Sequence, residues 1–248
     1  RLTSLRSELT KIKSGADSPA LTISELVLTS FPFSVTLAID IGYNVMTKKK
    51  STKNWLKKHT KDKYVKMSIS SGYRSRAFHK LQEIDEKYKV IKSANIIIDL
   101  GASPGSWSEY ISRNHKHKKL VAVDQIVMEP IEGVRFINGD INNSEHRDEI
   151  RQIITNVDLV LSDIAPNITG IEEVDQAHFI EIFESISSIC SDFLNKKGIL
   201  VMKFFNGSSY DLVKKRLKML FNEVNTYKPD SSRSKSNEVF FVCIGYKD

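Results

Sequence analysis

Short apolar runs alternate with stretches of helical period along most of this chain, and that alternation predicts its elements. Ile96–Leu100 is a nearly continuous apolar run, Gly101, Pro104 and Gly105 break it, and Ser106–Asn114 is compatible with a helix. Strand signals recur at Lys119–Asp124, Val134–Ile137, Val157–Leu161, Gly198–Phe205, Glu223–Tyr227 and Glu238–Tyr246. Helical spacing falls between them, at Ile150–Thr155, Val174–Leu194 and Tyr210–Leu220. Upstream, Ala77, Leu81, Ile84 and Tyr88 form a helical stripe within Arg74–Ile91. Short strands separated by helices predict an α/β fold, a mostly parallel central sheet with helices on both faces, whose ligands gather at the strands' carboxyl ends. Asp99, Asp124, Asp140 and Asp163 all fall at such ends.

Composition narrows the class. The 248 residues are 40% hydrophobic and 27% charged, enough for one α/β domain with an appendage, and contain no apolar run long enough to span a bilayer. A net charge of +7 and a pI near 9.2 favour a polyanionic partner, nucleic acid being the commonest. Cys190 and Cys243 sit in apolar patterns and read as buried reduced thiols of a cytoplasmic protein. The six histidines make no metal spacing, so no metal is expected.

Arg1–Met46 differs from the rest in composition and is expected to be a leader, with the catalytic domain over 47–248. Between Lys48 and Lys66 the cations crowd around Trp55 and Tyr64, either as a solvated face or as an RNA-facing basic arm. Lys57, Lys58, Lys61, Arg74 and Arg76 are the candidate phosphate contacts of that arm, with Arg233 further on.

The loop from Gly101 to Gly105 reads as a nucleotide-cofactor cradle or as an ordinary strand-to-helix turn. Its glycines admit a ligand to the backbone, and the free N–H groups of the following helix favour a partial negative charge. It lacks the third glycine of the dinucleotide fingerprint and the Gly-Lys-Ser/Thr of a phosphate-binding loop, whereas S-adenosylmethionine needs neither. Lys80 borders the helical stripe, where a lysine ordinarily extends to solvent. Lys203 interrupts an otherwise apolar strand and demands a charge partner or a function, and Glu238 opens the last strand.

Taken together, Arg74-Ser75-Arg76-Ala77-x-x-Lys80-Leu81, Asp99-Leu100-Gly101-Ala102-x-Pro104-Gly105-x-Trp107-Ser108, Ser162-Asp163-x-Ala165-Pro166-Asn167, Lys203-x-Phe205 and Pro229-Asp230-Ser231-Ser232-Arg233-Ser234 resemble the FtsJ (RrmJ-type) family of RNA ribose 2′-O-methyltransferases. The resemblance spans about Trp55 to Lys247. It implies a Rossmann-like methyltransferase fold that uses S-adenosylmethionine, a catalytic tetrad at Lys80, Asp163, Lys203 and Glu238, and cofactor contacts at Gly105, Trp107, Asp124, Asp140 and Asp163. It also implies RNA as partner, a uridine of large-subunit ribosomal RNA within the ribosomal particle by likeness to the bacterial members, and a monomer away from membranes. Relatives in the family act on tRNA, organellar rRNA or mRNA caps. Lys203 is expected to act as a neutral general base once RNA excludes water, with Asp163 orienting it; the competing role is a charged guide for the hydroxyl. One departure stands out: the family's usual Gly-Gly-Trp is Gly105-Ser106-Trp107 here, and the serine is expected to crowd the methionine end of the ligand slightly. A non-catalytic RNA-binding module on the same fold, or a dinucleotide-dependent oxidoreductase, would fit less well, since all four tetrad positions are filled and the third glycine is missing.

Overall fold

A computed structural model describes residues 62–247; the leader and Lys57, Lys58 and Lys61 lie outside them. In chain order the elements are α1 (Lys63–Ser70), α2 (Phe78–Tyr88), β1 (Ile96–Leu100), α3 (Ser106–Asn114), β2 (Lys119–Asp124), β3 (Val134–Asn138) and α4 (Ser144–Ile153). They continue with β4 (Val157–Ser162), α5 (Glu172–Phe193), β5 (Leu194–Phe205), α6 (Tyr210–Leu220), β6 (Phe221–Tyr227) and β7 (Glu238–Tyr246). The expected strands are all present, and the sheet runs β3-β2-β1-β4-β5-β7-β6. Six strands run the same way, β1 to β5 through parallel pairing, while β7 inserts antiparallel between β5 and β6.

Two boundaries differ from the periodicity. α4 begins at Ser144, six residues before the Ile150 at which the apolar pattern starts, because the Asn143 side chain accepts the Glu145 N–H at 2.8 Å and caps a turn whose residues face solvent. β5 begins at Leu194 rather than Gly198, reached through a register shift against β4 between Val157 and Leu159. Upstream, part of the basic stretch becomes α1, capped by Asp62 accepting the Tyr64 N–H at 2.9 Å.

The inner strands are apolar on both faces because helices cover both. Ile97, Leu161, Val201 and Phe240 pack with Phe78, Leu81 and Ile84 of α2 and Trp107 and Ile111 of α3. Their chain neighbours Ile98, Val160, Met202 and Phe241 pack the other way, against Phe179, Phe183 and Ile186 of α5 and Val213 and Leu217 of α6. Strand alternation then carries Asp99, Lys203 and Glu238 onto the α2–α3 face, in step with Ile97, Val201 and Phe240. Cys190 and Cys243 are free thiols buried in the opposite layer, and burial pushes both thiol pKa values up.

From β1 the chain first builds outward through β2 and β3, then returns to add β4 and β5 on the other side. The crevice between β1 and β4 at the strands' carboxyl ends is therefore the topological switch point, where such sheets bind ligands. Phe183 is fully buried at the centre of the α5 layer. Phe183→Ala should cost about 3–5 kcal/mol of folding free energy, read from the midpoint of urea unfolding, with the slope unchanged.

Candidate active site

A cavity of about 460 Å³ opens at the switch point. Gly101 forms its floor at φ +69°, and a Cβ there would lie 2.4 Å from Cγ1 of Ile164, so the close passage of chain and wall requires glycine. Asp124 and Asp140, at the ends of β2 and β3, present carboxylates on one side, and Ile126, Ile141 and Ile164 supply apolar surface. Asp124 accepts the Ser103 N–H through Oδ2 and the Ile126 N–H through Oδ1, each at 2.8 Å. Burial raises its pKa, and these backbone donors pull the other way. Asp140 accepts the Asn142 N–H at 2.8 Å. With their backbone positions fixed, both carboxylates keep lone pairs for a ligand's hydroxyl or amino donors. Volume, apolar walls and two carboxylate acceptors fit a nucleoside with an amino-acid arm, which S-adenosylmethionine is.

Gly105 and Trp107, the glycine-loop positions expected to contact the ligand, are held by the surrounding core. Trp107 is buried in the α2–α3 core, where its ring packs 5.8 Å from that of Phe240 and its Nε1–H donates to the Ala77 carbonyl at 2.9 Å. Gly105 starts α3 at φ +102°, and a Cβ there would meet Ile131 Cδ1 at 2.7 Å. Neither residue lines the cavity. Ser103, Asn142 and Asn167 do line it, and nothing in the apolar pattern marked these small polar loop residues.

Ser106 does not crowd the cavity either. Its buried hydroxyl lies 2.7 Å from that of Ser75, which also accepts the Ala77 N–H at 3.1 Å. Arg74 reinforces the join: its backbone N–H donates to Glu109 at 2.9 Å and its guanidinium to the carbonyls of Pro104, Glu129 and Pro130 at 3.0, 2.7 and 2.8 Å. The segment leading into α2 is thus stapled to the cradle loop and α3. Arg76 is likewise engaged, with Asp62 and the Ser231 carbonyl. Arg233 is exposed.

The four predicted tetrad residues converge. Lys203 Nζ lies 2.9 Å from Asp163 Oδ1 and also donates to the Asp163 carbonyl. Lys80 Nζ, reaching over from α2, lies 2.9 and 3.0 Å from the two carboxylate oxygens of Glu238 and 3.8 Å from Asp163 Oδ1. Ser232 donates to Glu238 Oε1 at 2.7 Å. Burial opposes the charge on Asp163, but Lys203 and Lys80 outweigh it and lower the carboxyl pKa. Asp163 also lines the cavity, so the ionic cluster and the candidate ligand site share a wall.

Residues 73–246 match the FtsJ-like methyltransferase family. The chain belongs to this family. It is 43% identical over 199 residues to the "Ribosomal RNA large subunit methyltransferase E" of Pelagibacter ubique, covering 80% of this chain and 98% of that protein. The Francisella tularensis protein of the same name is 42% identical over 205 residues, 82% of this chain and all of that one. Among solved structures, one from Plasmodium falciparum described as a ribosomal RNA methyltransferase aligns with a TM-score of 0.64 and 33% identity, covering 70% of this chain and 98% of that one. Family membership makes this protein a methyltransferase.

Asp99 adds a buried acid that the tetrad does not include. It is 1% exposed, accepts the Ser108 hydroxyl at 2.7 Å, and has its pKa pushed up to about 7 by burial, an effect the Ser108 bond opposes and the charges of Asp163 and Asp124 reinforce. An acid whose folded pKa is raised stabilises the fold fully below its unfolded pKa of about 4 and loses that contribution as pH rises towards 7. Relative to wild type, Asp99→Asn should therefore become progressively more stable between pH 4 and 7, read by urea unfolding at several pH values. A stability difference that stays constant across that range would mean that Asp99 is ionised throughout.

Proposed function

We propose that this protein transfers a methyl group from S-adenosylmethionine to a ribose 2′-hydroxyl of RNA, and that the substrate is a uridine of large-subunit ribosomal RNA. The observation that carries the reading is the Lys203–Asp163 and Lys80–Glu238 pairing beside a cavity that Asp163 lines together with Asp124 and Asp140. The relatives' names support the choice of ribosomal RNA, and the absence of any helix long and apolar enough to cross a membrane among the described residues is consistent with it.

In this reading Asp124 accepts the cofactor's ribose hydroxyls and Asp140 its adenine amino group, while Gly101 lets the ligand lie against the backbone. Bound S-adenosylmethionine supplies an electrophilic methyl on a sulfonium. The protein's part is to hold the 2′-oxygen in line with that methyl and to handle its proton. An ionised Asp163 at 2.9 Å stabilises positive charge on Lys203 Nζ, which supports the charged guide over the neutral base. Lys203 donates to a lone pair of the 2′-oxygen and holds it in line with the methyl, and the hydroxyl proton passes to solvent as the oxygen takes up the methyl group. Lys80 and Glu238 balance the local charge and hold the neighbouring edge of the site. Arg233, exposed beside Lys235 on the loop before β7, contacts RNA phosphates together with Lys57, Lys58 and Lys61. Arg74 and Arg76 act mainly as clamps that present this surface.

Asp124→Ala should weaken S-adenosylmethionine binding by about tenfold or more, since a lost hydrogen bond to a charged group costs about 1.5–3 kcal/mol. Calorimetric titration checks it, and unchanged affinity would move the nucleoside site away from β2. For Lys203 the substitution to arginine separates the roles, because arginine keeps the charge and does not deprotonate in proteins. Single-turnover methylation of undermethylated large ribosomal subunits across a pH series is the assay. The guide role predicts that Lys203→Arg retains the wild-type pH profile and loses far less than Lys203→Met. A loss of about 10²–10⁴-fold in both variants, together with a wild-type ionisation missing from the arginine profile, would instead identify Lys203 as the base.

A further inference from the structure

Glu83 stands one turn beyond Lys80 on α2 and makes a contact that the tetrad does not explain. Its Oε2 accepts the Asp230 N–H at 2.6 Å and its Oε1 the Ser231 N–H at 2.9 Å. Consecutive backbone donors of the loop before β7 are thereby held by one carboxylate from a different part of the chain. Within that loop, Ser232 N–H bonds to the Pro229 carbonyl at 2.9 Å, and the Ser232 hydroxyl donates to Glu238. Glu238 then closes on Lys80, back on α2. The result is a ring of contacts running Glu83, loop, Ser232, Glu238, Lys80, with both ends fixed to the same helix turn.

We propose that Glu83 is a positioning residue that sets the distance between Lys80 and Glu238 by clamping the loop, and with it the placement of Arg233. This rests on the RNA methyltransferase reading given above. Residues three apart on a helix share a face, so α2 offers Lys80 and Glu83 to the same side as a rigid pair. Two charge-assisted bonds to successive amides fix both the place and the orientation of the loop backbone. Arg76 also holds the Ser231 carbonyl, but without Glu83 the Asp230 and Ser231 amides are released, Ser232 is held less firmly against Glu238, and Lys80 loses a partner held in one place. The chemistry demands a carboxylate rather than an amide. Each oxygen takes a different N–H, whereas a glutamine has one acceptor and would turn its NH₂ group towards one of those donors.

Glu83→Gln conserves volume and tests the clamp on the full chain. Hydrogen exchange of residues 228–237, read on the protein alone, should speed up, while S-adenosylmethionine affinity stays within about twofold of wild type because no cavity residue is touched. Single-turnover methylation should fall by about tenfold or more. The same change in a Glu238→Gln background should cost little further, because Glu83 acts through a partner already altered. Should glutamine at 83 unsettle the fold, as loss of S-adenosylmethionine binding would reveal, Ser232→Ala breaks the same ring one step further on and should give the same fall in rate. Unchanged loop exchange, a Glu83→Gln rate within twofold of wild type, or an undiminished loss in the Glu238→Gln background would each overturn the proposal. Wild-type protein that fails to methylate RNA would count against the proposed function, and the exchange measurement would still decide the clamp.

Discussion

Two lysines and two carboxylates meet at the ends of β4, β5 and β7, and bringing them there carries a desolvation cost that only their pairing offsets. Side-chain exposure across Lys80, Asp163, Lys203 and Glu238 ranges from 8 to 20%, so each charge has lost most of its water and depends on the others for compensation. A partly buried charge without a partner costs several kcal/mol per ion. The four are neutral as a set, and the set closes only if α2 sits over the ends of β4, β5 and β7. Much of the surrounding structure can be understood as holding α2 in that place.

The stapling of α2 to α3 is the clearest instance. Ser75 to Ser106, Trp107 to Ala77, and Arg74 to Glu109 and Pro104 tie the start of the lysine-bearing helix to the loop that floors the cavity. Asp163 ties the same two regions from the sheet side, since it both lines the cavity and pairs with Lys203. The glycine loop and the ionic cluster are therefore joined through shared contacts from both the helix side and the sheet side.

The basic composition is partly internal. Arg147 is spent on Ile141, Ser188 and Asp192, Arg216 on Glu184, and Arg113 on Glu109 and the Gly72 carbonyl, besides the clamps made by Arg74 and Arg76. A guanidinium forks to several acceptors at once, which suits it to joining elements as well as to holding phosphates. The clamped arginines are thus engaged within the fold, whereas Arg233 and Lys235 are exposed.

What the sequence alone determined was the order of the strands and the mostly parallel sheet, while the four converging charges were named as a set by the resemblance of the motifs to a known family. Apolar runs of period two and 3.6 are local and survive in one dimension, and a lysine within an apolar strand announces itself because burial makes an unpartnered charge costly. The start of α4 was invisible because its first turns are polar and its signal is an asparagine cap. The jobs of Trp107, Ser106 and Arg74 were decided only in three dimensions. Their motif positions said nothing of the internal partners they make, because side-chain direction depends on which face packs and on which carbonyl lies within reach. Which lysine pairs with which carboxylate was likewise left to the tertiary structure, because Lys80 and Glu238 are 158 residues apart in the chain and only the packing of α2 across the strand ends brings them within 3 Å.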